Sequence, residues 1–149
     1  MYKKIMVPLD GSKLSEQALS HMKTISIGCN ISEITLLMVV SPIDNSEVIA
    51  NLGIERVHEI ENQESKSAED YITKVAESLK NDGVTAQTAV LKGNPAQKIL
   101  EYIDENQIDL VVMSSHGHGR SGPSSWYLGN VADRIIKHSP GPVLIVRTV

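Results

Sequence analysis

Residues 108–122 read IDLVVMSSHGHGRSG, and this stretch decides the fold. Ile108 to Met113 is a short apolar run interrupted only by Asp109. Such a run is a strand buried on both faces, which belongs inside a parallel sheet. It leads directly into the most glycine-rich part of the chain, a loop from Ser114 to Asn130. Beyond the loop a short helix is expected from about Gly129 to His138, carrying Val131, Ala132, Ile135 and Ile136, with Asn130 a good capping residue. Pro140-Gly141-Pro142 stops that helix, and Val143 to Val146 is a last strand.

The same alternation extends toward the N-terminus. Ile5 to Leu9 reads as a buried strand ending in the turn Asp10-Gly11-Ser12. Ser12 caps a helix with an apolar stripe at Leu14, Ala18, Met22 and Ile25. Ile34 to Val40 is a second buried strand. Residues 45–65 show no clear period, and the next helix is expected from about Ser67 to Lys80, with Ala68, Ile72, Val75 and Leu79 on one face. Asn81-Asp82-Gly83 stops it in the left-handed manner. Val84 to Leu91 is a third strand. Asn94-Pro95 opens another helix, with Gln97 placed to close a capping box and Ile99, Leu100 and Ile103 on its buried face. Strands alternating with helices predict an α/β domain over residues 1–149, with an open parallel sheet covered by helices on both faces.

Composition narrows the function. The chain has 149 residues, 41% apolar, with no Phe and only 3% aromatic residues, so the core is aliphatic and no stacking platform for single-stranded nucleic acid is offered. A formal net charge of −4 gives no general attraction to polyanions, so no nucleic-acid partner is expected. The charge is uneven: Asp44 to Asp82 holds ten acids against four bases, whereas Ser114 to Val149 holds four bases against Asp133 alone. A small anion is better received at the C-terminal end. One cysteine, Cys29, permits no intrachain disulfide and suits a reducing compartment. No stretch reaches transmembrane length, and the expectation is a cytoplasmic protein with no membrane partner.

Open parallel sheets bind ligands at the carboxyl ends of strands where strand order reverses. For the order 3-2-1-4-5 that point lies between the first and fourth strands. Their exits are Asp10-Gly11-Ser12 and the glycine-rich loop. Gly117, Gly119 and Gly122 let backbone N–H groups approach an anion, Arg120 adds a forked charge, and the loop runs into a helix N-terminus at Gly129-Asn130. Composition alone leaves a plain flexible loop equally open. The helix start and the switch-point position favour phosphate.

The segments Met1 to Ser12, Gly93-Asn94-Pro95, Asp109 to Gly117, Gly129 to His138 and Pro142 to Arg147 together resemble the universal stress protein family across essentially the whole chain. The resemblance implies a five-stranded α/β fold of the adenine nucleotide alpha hydrolase type, often dimeric. Its ATP-binding members carry G-x2-G-x9-G-[S/T]. It implies that Asp10 and Val39, with Pro8, Leu9 and Met113 beside them, lie near adenine and ribose. Ser114, Gly117, Gly119, Arg120, Gly122, Gly129, Asn130 and Val131 would then surround the phosphates. ATP or another adenine nucleotide is the implied ligand, with Mg²⁺ near Asp10. Family members mostly bind and signal, so no catalytic residue is assigned. The resemblance also implies a homodimer through Val143 to Val146, an apolar strand expected at a sheet edge.

Three departures from the motif stand out. With Gly117 as the second glycine, Ser114 occupies the first position and eleven residues separate Gly117 from Gly129. With Gly119 as the second, the spacing is nine but His116 occupies the first position. Asn130 replaces Ser or Thr. Two other readings stay open: a nucleotide-free interaction module using the surface around Asp44 to Ser65, and an enzyme in which Asp10 holds Mg²⁺ and His116 or His118 is the base. His116 and His118 are otherwise read as solvent-exposed, Trp126 and Tyr127 as packing the loop onto the sheet, and Cys29 as inert.

Overall fold

The computed structural model of the chain describes residues 2–116 and 128–148. The elements are β1 (Lys4–Leu9), α1 (Lys13–Gly28), β2 (Glu33–Val40), α2 (Ser46–Leu52), α3 (Ile54–Asn81), β3 (Gln87–Lys92), α4 (Pro95–Glu105), β4 (Leu110–Ser114), α5 (Asn130–His138) and β5 (Val143–Val146). The strands form one five-stranded sheet, parallel as the alternation predicts, in the expected order β3-β2-β1-β4-β5. β5 is an edge strand.

Side chains alternate across the sheet and build two aliphatic layers. Ile5, Val7, Leu9, Leu36 and Val112 pack with Ala18 and Met22 of α1 and Ile72 of α3. Met6, Leu37, Val111 and Met113 pack with Ile99 and Ile103 of α4 and Ile135 of α5. Full burial of each large aliphatic side chain contributes about 1.5–3 kcal/mol. Continuous apolar runs in the strands are what two covered faces require.

Helix-to-strand connections share one device. After α1, α3 and α4 a residue with positive φ (Asn30, Gly83, Gln107) is followed by an apolar residue whose N–H returns to the helix. These bonds are Ile31 N–H to Ser26 O, Val84 N–H to Leu79 O and Ile108 N–H to Ile103 O. This is the Schellman closure, with its apolar residue tucked under the helix end. It corrects two expected strand starts. Val84 and Ile108 belong to helix closures, so β3 begins at Gln87 and β4 at Leu110.

The stripe of α1 is also shifted. Its buried residues are Ser15, Ala18, Met22 and Ser26, with Leu14 and Ile25 on its flanks. Two serines bond back to helix carbonyls and so bury without penalty. On α5, Ala132 and Ile135 are buried but Ile136 is 43% exposed.

The largest difference lies at α3, which starts at Ile54 rather than near Ser67. Its buried face runs Val57, Glu61, Ala68, Ile72 and Leu79, one helical stripe with a glutamate in it. Glu61 is 6% exposed; Lys92 Nζ donates to one carboxylate oxygen at 3.0 Å and Ile43 N–H to the other at 3.0 Å. Those bonds tie α3 to the end of β3 and to the segment after β2. Among the described residues no helix is long and apolar enough to cross a membrane.

Two carboxylates that tie separate segments together, Glu61 and Asp109, are expected to make stability fall in acid. The Lys92 ammonium, then the Ile43 N–H, hold Glu61 below its ordinary pKa. The Lys3 and Lys4 N–H groups, at 2.8 and 2.9 Å from Asp109 Oδ2, do the same for Asp109. Both groups are more acidic folded than unfolded, so the unfolded chain takes up protons first as pH falls. Their contribution is complete above the unfolded values of about 4.3 and 3.9 and is lost as pH falls through the lower folded values. Denaturant melts between pH 6 and pH 3 will show stability falling on acidification. Glu61→Gln and Asp109→Asn will each flatten that dependence, and an unchanged slope in both would refute the assignment.

Candidate functional site

β1 is paired with β2 as far as Leu9–Met38, but with β4 only at Ile5–Leu110 and Met6–Val111. Pro8 follows within two residues and has no N–H to donate. The strands therefore part at their carboxyl ends, at the point where strand order reverses. A cavity of about 460 Å³ opens there, within the range of small-molecule sites.

One wall is the turn after β1. Gly11 has φ +86°, which favours glycine. Asp10 Oδ1 accepts the Ser12 N–H at 2.9 Å and the Ser12 hydroxyl. Ser12 Oγ accepts the Ser15 N–H at 3.1 Å and so caps α1, as its sequence position suggests. Ser15 Oγ accepts the Asp10 N–H at 3.3 Å. Across the gap, the Ser114 hydroxyl donates to Leu14 O at 2.7 Å, with Ser15 O at 3.1 Å. Ser114, which stands at the first glycine position in one of the two alignments of the motif, thus fastens the end of β4 to the first turn of α1.

The opposite wall is the start of α5. Ser115 N–H donates to Val146 O at 2.9 Å, and Ser115 O accepts the Gly129 N–H at 2.7 Å. A Cβ at Gly129 would lie 3.0 Å from Ser115 O and 3.8 Å from His116 Cδ2, so any side chain there would be tight against a backbone oxygen. Gly129, not Asn130, is the N-cap; Asn130 is the first helical residue, and no side chain caps the helix among the described residues. The expected capping role of Asn130 is corrected accordingly. First-turn N–H groups and the helix dipole face an anion at such an end.

Pro8, Leu9, Asp10, Val39, Met113, Ser114, Gly129, Asn130 and Val131 all line this one cavity. The sequence reading did not assign Leu37, Ser41, Pro95, Ile99, Ser115 or Ala132 to the site, and they line it too. Most of these are ordinary core or turn residues, and only the sheet register brings them here. Gly117, Gly119, Arg120 and Gly122, with His118, Trp126 and Tyr127, lie outside the described residues. His116 also lines the cavity, but it is 6% exposed rather than a solvent-facing loop histidine. The Asn94 capping box is half-formed: Asn94 accepts the Gln97 N–H at 3.0 Å, while the Gln97 side chain donates to Glu101.

The chain belongs to the universal stress protein family, whose family model matches residues 1–147. Universal stress protein MJ0531 of Methanocaldococcus jannaschii is 33% identical over 147 residues, which cover 99% of this chain and 83% of that one. The solved structure of MJ0577 from the same organism has a TM-score of 0.80 at 28% identity, covering 98% of this chain and 96% of that one. Two further structures share the fold. A universal stress protein in complex with cAMP has a TM-score of 0.61 at 22% identity over 99% and 98% of the two chains. A family member from Arabidopsis thaliana with AMP bound has a TM-score of 0.61 at 15% identity over 99% and 92%.

Gly129→Ala tests the contact that closes the site. The added methyl presses on a backbone oxygen, and strain of this kind costs about 1–3 kcal/mol. Urea denaturation will show that loss, whereas Gly141→Ala, whose Cβ would have 3.5 Å to Ile108 O, will lose less. Equal stabilities for the two variants would contradict the tight approach.

Proposed function

We propose that the cavity binds an adenine nucleotide, ATP first among candidates, and that the protein is a nucleotide-responsive regulator of the stress response. One observation carries the reading. A single cavity joins an aliphatic shelf (Leu37, Val39, Met113, Ile99) to the N-terminus of α5. The shelf suits a flat base, the helix start suits phosphate, and Asp10 between them suits ribose or a nucleotide-bound Mg²⁺. The adenine nucleotides bound by the cAMP and AMP complexes support the base identity. Gly117, Gly119, Arg120 and Gly122 complete the phosphate site in this proposal. Four or five charge-assisted hydrogen bonds of about 1.5–3 kcal/mol each are ample for micromolar affinity, about −8 kcal/mol. Regulation requires ATP to bind one state of the protein better than another.

The β5 edge supports a homodimer, since among the described residues β5 has a sheet neighbour on one side alone and Leu144 is 36% exposed. A second reading, a nucleotide-free interaction module, draws on the α2–α3 junction, where Val48, Leu52 and Ile54 are 37%, 44% and 64% exposed.

Titration calorimetry with ATP and Mg²⁺ tests the first reading. Micromolar binding is expected, weakened about tenfold or more by Asp10→Asn. No heat and no thermal shift at millimolar ATP would favour the interaction module instead. Sedimentation at micromolar protein will show a dimer that Leu144→Lys converts to monomer. A monomeric wild-type protein would refute the edge pairing.

A further inference from the structure

A second cavity, of about 210 Å³, lies at the opposite end of the sheet, between the strand starts and the end of α4. Its lining includes Lys4, Glu33, Thr35, Gln87, Tyr102 and Asn106. The sheet register explains the gathering. Side chains two apart on a strand share a face. Lys4 stands two before Met6 and Thr35 two before Leu37, and Met6 and Leu37 pack in the layer with α4. Lys4 pairs with Glu33 and Thr35 with Gln87 across neighbouring strands, so all four project to the α4 side. Farther along the strands that side is aliphatic core. At the strand starts it carries polar residues from three strands.

Two of these side chains lack protein partners. Thr35 is 9% exposed, and no group among the described residues hydrogen-bonds its hydroxyl. Among the described residues, the side-chain atoms sealed from solvent without a partner are Tyr71 Oη and His116 Nε2. The Thr35 oxygen is therefore reached from outside, and the space it opens on is this cavity. The Gln87 amide is likewise unbonded among the described residues. A largely buried hydroxyl with no protein bond takes its partner from whatever fills the space beside it.

The charges narrow the ligand. Lys4 Nζ donates to Asn106 O at 3.3 Å and lies 4.0 Å from Glu33 Oε2. An anion placed on Lys4 meets the Glu33 carboxylate, and a cation placed on Glu33 meets the Lys4 ammonium. Each repulsion offsets the attraction beside it. Lys4 only donates, Glu33 only accepts, and Thr35, Gln87 and Tyr102 do both. Hydroxyl groups, which also do both, match such a mixed set without bringing a charge. The volume equals the liquid share of about seven waters, room for a compact molecule with several hydroxyls.

We propose that this cavity binds a small uncharged polyol, which bonds the Thr35 hydroxyl and the Gln87 amide and bridges Glu33 to Lys4. The site is separate from the proposed nucleotide cavity at the carboxyl ends of the strands and does not depend on it.

The test titrates ¹⁵N-labelled protein with glycerol, xylitol and D-glucose and follows the backbone amides by NMR. At least one polyol will shift the amides of Lys4, Glu33 to Thr35, Gln87 and the end of α4, saturating in the millimolar range. Acetate and glycine will leave those amides in place. Thr35→Val keeps the branched shape, removes the hydroxyl and will weaken that polyol about tenfold. Gln87→Ala, at an exposed position on an edge strand, will weaken it about threefold or more and serves if Thr35→Val perturbs the fold. No saturable shift from any of the three polyols would overturn the proposal. So would tighter binding of acetate or glycine, shifts centred instead on Asp10, Val39 and Gly129, or equal affinity in the wild type and both variants.

Discussion

The parting of β1 from β4 is the constraint on which the rest depends. A central strand that stops pairing with one neighbour exposes backbone groups, and elsewhere that would be a defect. Here Pro8 removes one donor, and Asp10, Ser12 and Ser15 satisfy the turn that follows. At the other end of the same strand pair, Asp109 accepts the Lys3 and Lys4 N–H groups and holds the strands together. The pair is closed at its base and open at its top. The cavity is thus a product of sheet topology, present before any loop is considered.

Two short bridges keep that opening from collapsing or widening. Ser114 fastens β4 to α1, and the Gly129 N–H on Ser115 O fastens α5 to β4. Both use residues from the exit of one strand, so four elements (β1, α1, β4, α5) meet over a few residues. The consequence is chemical as well as mechanical. An apolar shelf and a helix N-terminus, which suit different parts of a ligand, are held at fixed separation.

Much of this was legible in the sequence, because two covered faces demand continuous apolar strands and Ser, Asn and Gly mark helix starts and stops. The alternation of strands and helices followed from that, while the identity of most cavity residues came with the family resemblance. What was hidden has a common cause: positions where a polar residue does an apolar residue's task, or a non-glycine takes a glycine's conformation. Glu61 sits on the buried stripe of α3 and masks its first half. Ser15 and Ser26 occupy the buried face of α1. Asn30 and Gln107 adopt positive φ, so the closures that end α1 and α4 were not apparent. His116 read as a loop residue because nothing in its neighbourhood announces Thr148, 32 positions away, as its partner. These are tertiary facts, and no local pattern carries them.

The central claim is that the split between β1 and β4, bounded by the start of α5, is where the ligand sits. A crystal structure of the protein grown with millimolar ATP and Mg²⁺ tests it most directly. The account predicts the base against Leu37 and Val39, the ribose by Asp10 and the phosphates at Gly129 and Asn130. Nucleotide bound elsewhere on the molecule, or a cavity left without nucleotide under those conditions, would contradict it.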